Sequence, residues 1–218
     1  LKVFEGGDTP LNDFYLRTGG WLTDTFAIQL EGNFLKGESF REHSETDVKN
    51  FQIKTDWLLS DTQELQAFIQ RYDADTKMPG ALSPKDYEHD RNQSKRPYDE
   101  YQGKSTRWNL KYIHELNLAD SAKLEVQTFG HNSDRFFQWG FNDGDGHWAD
   151  PALPSTDVRT SPRKFNVYGV EPKLAMHFGE GSAVTQSWLL GARWVNEDND
   201  YKKNQKPKAG KGGPSNPP

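Results

Sequence analysis

Hydrophobic and polar residues alternate along most of this chain. Strand-like runs fall near residues 1–5, 12–22, 25–37, 47–59, 63–76, 104–117, 120–139, 164–178 and 183–198, about nine in all. In 25–37, Phe26, Ile28, Leu30 and Phe34 share one parity, and Gln29, Glu31 and Asn33 the other. In 47–59, Phe51, Ile53, Trp57 and Leu59 oppose Gln52, Lys54 and Asp56. Trp108, Leu110, Tyr112 and Leu116 oppose Asn109, Lys111 and Glu115 in the same way, with Ile113 as an exception. The pattern continues through Leu124 and Val126 against Lys123, Glu125 and Gln127, and through Tyr168, Val170, Leu174, Met176 and Phe178 against Glu171, Lys173 and His177. Successive strand side chains point to opposite faces, so the sequence predicts a sheet with one apolar and one polar face. No run has the 3.6-residue period of an amphipathic helix.

The connections sort by length. Short turns are expected at 22–25, 60–62, 117–120 and 179–182, and long ones at 38–46, 77–103, 140–163 and from 199 onward. The stretch 78–103 is rich in proline and charge and far exceeds the usual connection of about 2–6 residues. Short turns on one rim and long loops on the other are the pattern of an antiparallel up-and-down transmembrane β-barrel. A Greek-key sandwich would not sort its loops this way. The expected fold is therefore all-β: a partial barrel wall over 1–200, followed by a truncated extracellular loop or disordered tail over 201–218. The competing pattern-level reading is a soluble sheet with its apolar face on a core. Runs this long exceed the 5–6 residues usual for soluble strands.

Composition sharpens this picture. Only 33% of the residues are hydrophobic, yet 13% are aromatic, which suits a sheet with ring-rich margins. A net charge of −5 opposes a nucleic-acid surface. No cysteine is present, which removes disulfides and thiolate chemistry. No apolar run is long enough for a transmembrane helix, a criterion that does not bear on a barrel. No Ser-His-Asp order, Walker loop or paired-carboxylate site stands out, so the reading is not an enzyme. The segment 142–150 resembles a Ca²⁺ loop in composition but lacks the terminal bidentate Glu, and reads as a Gly/Asp turn. No signal peptide is evident before Leu1, and the chain is expected to be a piece of a larger protein with two open sheet edges.

Several segments carry a family resemblance. They are Met78-Pro79-Gly80-Ala81-Leu82-Ser83, Asp90-Arg91, Gln93-Ser94 and Arg96-Pro97-Tyr98-Asp99 within the long loop. Arg41-Glu42-His43-Ser44, Tyr72-Asp73, Ser161-Pro162-Arg163 and Gly169-Val170-Glu171-Pro172 match as well. Together, from about residue 37 to 201, they resemble TonB-dependent outer-membrane receptors, and within these the ferric-citrate transporter group. The resemblance implies a 22-stranded barrel with an N-terminal plug in the bacterial outer membrane, and uptake energised through the TonB protein. It implies a ferric carboxylate chelate as ligand, with the iron arriving inside the chelate and no cofactor held by protein side chains. The plug, the TonB box and the C-terminal aromatic strand have no counterpart in these residues.

An anionic chelate calls for guanidinium groups, whose rigid donor forks match carboxylates. Parity selects Arg135 and Arg163, both opposite in face to the apolar residues of their strands. Each lies 15 residues from the nearest short turn, at Asp120 and Phe178, which puts both at one height on adjacent strands. At about 3.3 Å per residue and about 40° tilt, that height is roughly 35–40 Å above the short-turn rim. The resemblance implies that both match arginines that contact citrate. The plainer reading is a solvated rim charge beside Asp134 or Asp157. Arg91 and Arg96 join the ligand when the loop closes, or pair internally with Asp90 and Asp99, the arrangement favoured here. Two other functions remain open at this stage: a passive porin-type barrel and a soluble all-β binding module.

Overall fold

The computed structural model describes residues 2–4, 10–96, 98–141, 157–202 and 204–206. The expected turn at 142–150 lies outside them. The strands are β1 (Lys2–Phe4), β2 (Leu11–Trp21), β3 (Phe26–Gly37), β4 (Thr46–Ser60) and β5 (Gln63–Lys77). After a short helix, α1 (Pro84–His89), come β6 (Glu100–Leu116), β7 (Ser121–Phe141), β8 (Asp157–Phe178), β9 (Gln186–Gly191), β10 (Trp194–Tyr201) and β11 (Asn204–Lys206). Each strand from β1 to β8 pairs antiparallel with the next, and β9, β10 and β11 all pair with β8. This is an up-and-down wall, one layer thick. Only Ala74, Ile113, Ala122 and Val158 are buried apolar residues among those described. A two-layer sandwich would bury far more. Among the described residues no helix is long and apolar enough to cross a membrane.

The last expected strand, 183–198, is divided and extended. Its three pieces keep a single register against β8. The two interruptions face Pro172 and Pro162 of β8, whose carbonyls still accept from Ala192 N (3.1 Å) and Lys202 N (3.1 Å). Proline has no N–H, so the return bond of each pair is missing and the ladder breaks there. β9, β10 and β11 therefore follow one line along β8, and pairing reaches Lys206, inside the segment expected to be a tail.

Two other strands begin earlier than the pattern indicates. Glu100–Gly103 pairs with Ala74–Lys77 on one side and Arg135–Gln138 on the other. β8 starts at Asp157 and runs through Ser161-Pro162-Arg163, a triplet that reads as a turn in isolation. The long loop thus shrinks to 78–99, and it contains a helical turn that period analysis does not find. Ser83 caps that turn by accepting from Asp86 N, with Pro84 at the first helical position and acidic Asp86 in the first turn.

The register confirms the two faces and shows how the apolar band crosses them. One row of directly paired residues on the apolar face runs Phe14, Phe34, Lys49, Asp73, Lys104, Asp134, Lys164, Asp200. It starts on rings and ends on a ladder of alternating charge. Nearer the short turns, another row reads Leu30, Ile53, Ile69, Trp108, Gly130, Tyr168. The apolar band therefore runs obliquely to the pairing direction, as it must when barrel strands tilt by about 35–45°. Rings gather at its margins: Phe14 with Phe34 (6.3 Å) and Tyr168 with Trp194 (5.7 Å) on the long-loop side, Phe26 with Trp57 (6.3 Å) and Tyr112 with His114 (6.0 Å) towards the short turns.

Candidate functional site

The polar face of β7 and β8 carries the two arginines singled out by parity, and the register pairs them directly, Arg135 opposite Arg163. Counting from the short turns gives the correct height because no bulge interrupts either strand between turn and arginine. The two side chains are held in matching ways. Arg135 Nε donates to Ser133 Oγ at 3.1 Å, and Arg163 Nε donates to Ser161 Oγ at 3.2 Å. Both serines are buried, at 3% and 0% exposure, so the two anchors are fixed points. The guanidinium planes then cross over. Arg135 lies over Phe165 at 5.4 Å, while Arg163 lies over Phe137 at 5.4 Å and Tyr201 at 4.8 Å. Tyr101 extends this ring wall against Phe137 at 4.8 Å. It lies across Gly103, directly opposite Arg135, where a Cβ would collide with the phenol.

The pair concentrates positive charge on the polar face. Among the described residues neither guanidinium forms an ion pair. Asp134, a candidate partner from sequence, belongs to the charge ladder on the opposite face, across from Lys104 and Lys164. Two permanent cations thus occupy one ladder step, each with its Nε anchored on a serine. That arrangement suits bidentate capture of carboxylates. Arg159 stands on the same face, four residues further along β8 and opposite Trp139. Sequence reading passed over it, although its parity with Arg163 was the available signal.

The loops above are tied to each other and to the ends of β6 and β7. Arg41 places its guanidinium on three carbonyls of the 78–99 loop, those of Gly80, Pro79 (3.3 Å) and Gln93 (2.9 Å). Glu42 N donates to Asn92 O at 2.7 Å, and the Glu42 carboxylate accepts from Ser94 N at 3.1 Å. His43 Nε2 donates to Asp99 O at 2.8 Å from a left-handed backbone with φ of 56°. The segments that carry the family resemblance in 41–44 and 78–99 are thus the ones that bind each other. Arg96 Nη1 donates to Gly140 O at 2.9 Å, and Asp99 Oδ1 accepts from Gly140 N at 2.6 Å. Burial pushes the Asp99 carboxyl above its usual value, against the Gly140 N–H and the nearby Arg96 and His43 charges.

Arg96 therefore braces the loop onto β7 through Gly140 O, with its charge close to Asp99. Arg91 does not make its expected pair with Asp90, which instead accepts from Asn92 N at 2.8 Å. Arg91 lines a surface hollow with Phe40, Leu82 and Tyr87 at the loop tip, away from Arg135 and Arg163.

A single-layer antiparallel wall, with an apolar band between ring-rich margins, short turns on one rim and braced loops on the other, defines a segment of a large up-and-down β-barrel. Among solved structures the chain is similar to the ferric citrate transporter FecA in its unliganded form, with a TM-score of 0.79 and 25% sequence identity. The match covers 95% of this chain and 29% of that one, so this chain spans less than a third of the length of the transporter. No family model matches. The neighbour is a transporter, not an enzyme, in line with the absence of a catalytic constellation in the sequence reading.

Proposed function

We propose that this chain forms part of the wall of an outer-membrane, TonB-dependent receptor that takes up a ferric carboxylate chelate, with ferric citrate the first candidate. Arg135 and Arg163 grip the carboxylates of the chelate, and Phe137, Phe165 and Tyr201 hold the guanidinium planes in position. The iron is cargo inside the ligand, so the protein needs no metal site or cofactor of its own. The 78–99 loop, locked to 41–44 and Gly140, walls the site on its outer side; Arg96 serves that wall, and Arg91 lies beyond it. Energy coupling would run through a plug domain and TonB, and the apolar band would meet outer-membrane lipid. Nucleic acid is not a partner in this reading.

The observation that carries it is the direct pairing of two anchored arginines that have no acidic partner among the described residues. A charge-assisted hydrogen bond contributes about 1.5–3 kcal/mol. Replacing either arginine by alanine in the receptor that contains this chain should therefore weaken ferric citrate binding roughly 10- to 100-fold. Equilibrium titration checks this, and unchanged affinity in both variants would rule the site out.

A further inference from the structure

The polar face continues below the arginine pair in an ordered set of rows. The row of Arg135 and Arg163 runs Ala74, Gly103, Arg135, Arg163, Tyr201. The next row towards the short turns is Tyr72, Ser105, Ser133, Phe165, Asn199, which is uncharged. The one after that is Gln70, Arg107, His131, Val167, Glu197. Arg107 and His131 are thus direct partners across the β6–β7 ladder, on the same face as Arg135 and two rows below it. Four residues of strand span about 13 Å, or roughly 10 Å along the axis of a barrel tilted by about 40°.

We propose that Arg107 and His131 form a second, inner station for the carboxylates of the same chelate, used after it leaves Arg135 and Arg163. The inference rests on the uptake reading above and deepens it. Arg107 forms no ion pair or side-chain hydrogen bond among the described residues, and it lines an open depression with Phe68, Asn109, Phe129 and His131. The acidic side chain of that row is Glu197, two strands away from His131 and so about 10 Å from it. Lower still, three cations have acidic partners: Lys173 pairs with Glu171 at 2.5 Å, Arg193 with Glu171 at 3.5 Å, and Lys123 with Glu125 at 3.3 Å. Arg107, beside His131, is thus the guanidinium nearest below the upper pair on β6 and β7, and it carries no ion pair among the described residues. A carboxylate leaving the upper pair crosses one row of hydroxyl and ring groups before meeting the next donors. A multi-carboxylate anion can reach Arg107 with one arm before the other releases Arg135. Arg107 supplies the fixed charge and fork; His131 adds a donor or acceptor beside it.

The test separates binding from passage, in cells that carry the full-length receptor. Arg107→Ala and the double variant Arg107→Ala/His131→Ala should cut the initial rate of radiolabelled ferric citrate uptake at least fivefold. The equilibrium Kd should stay within twofold of the parent. Arg107→Lys, which keeps the charge, should recover most of the rate and shows that the alanine variants fail through charge rather than folding. Parental uptake in the double variant would overturn the inner station while leaving the upper site intact. A Kd raised as much as in Arg135→Ala would also overturn it, because Arg107 would then belong to the first site. Failure of the uptake reading itself looks different: Arg135→Ala and Arg163→Ala would leave Kd unchanged.

Discussion

The placement of Arg135 and Arg163 side by side on the polar face was legible from the sequence because two simple facts compounded. Parity selected the face, and the number of residues from a short turn set the height. Neither fact tells which side chains hold the guanidinium groups. Ser133, Ser161, Phe137 and Phe165 become visible only through the register, since each arginine stacks on a ring of the neighbouring strand. Arg107 and Arg159 obey the same parity rule, but Arg107 lies deep below the rim and Arg159 in a stretch whose proline and loop-like residues hide its strand. Asp99 was read as a loop acid, yet it is a junction: its carbonyl accepts from His43, and its carboxylate accepts from Gly140 N. Burial raises its folded pKa above the usual 3.8. The folded state therefore holds the proton more tightly than the unfolded one. Asp99 contributes most favourably below about pH 3.8, and that contribution is lost as pH rises through the elevated folded value. Asp99→Asn keeps an oxygen for Gly140 N and removes the charge. It should raise the hydrogen-exchange protection factor of Gly140 at neutral pH and flatten its dependence on pH between 4 and 7. The same slope in the parent and the variant would show that Asp99 is not its source.

At the scale of elements, the strands were legible in position and face but not in their ends. Gly103 and the Ser161-Pro162-Arg163 triplet look like loop chemistry, and both lie inside strands. Gly103 is there because Tyr101 folds across it, and Pro162 is tolerated because a single ladder bond is lost on the side of β10 and β11. Helix α1 was hidden by its length, too short for any period, although Ser83-Pro84 with Asp86 is a start signal. The contact between the 38–45 and 78–99 loops left no local trace, because its partners are far apart in sequence and use backbone carbonyls. Arg41 is the centre of that contact, and its guanidinium serves three carbonyls at once. Arg41→Ala strands those acceptors and should cost about 2–4 kcal/mol of local stability, at about 1 kcal/mol or more for each bond. Limited proteolysis should then cut within 78–99 at least tenfold faster, while the strands stay protected. Equal cleavage rates would mean that the two loops are held by something other than Arg41.

At the scale of the molecule, the single-layer wall divides its two faces between two environments. The apolar face carries the oblique band and, beyond it, the alternating ladder Lys49, Asp73, Lys104, Asp134, Lys164, Asp200, in which directly opposite charges attract. The sequence showed the faces, but the ladder required the register of six strands at once. If the band faces lipid, the cost of a charge must depend on height. Leu110→Arg lies within the band, between Ala67 and Thr128, and should destabilise the folded receptor in lipid vesicles by about 2–4 kcal/mol. Asn132→Arg, on the same face but above the Trp108–Gly130 step, should cost about 0–1 kcal/mol. Equal costs in urea titrations would contradict a lipid-facing band.

The central claim is that the paired arginines on the polar face take the carboxylates of a ferric chelate. The most direct measurement is the equilibrium titration of the receptor containing this chain with ferric citrate, for the parent and for Arg135→Ala, Arg163→Ala and the double variant. The account predicts a roughly 10- to 100-fold rise in Kd for each single variant, from the loss of about 1.5–3 kcal/mol of charge-assisted bonding. It predicts a further rise in the double variant that is smaller than the product of the two, because both groups hold one anion. Parental affinity in all three variants, with the barrel intact, would contradict it.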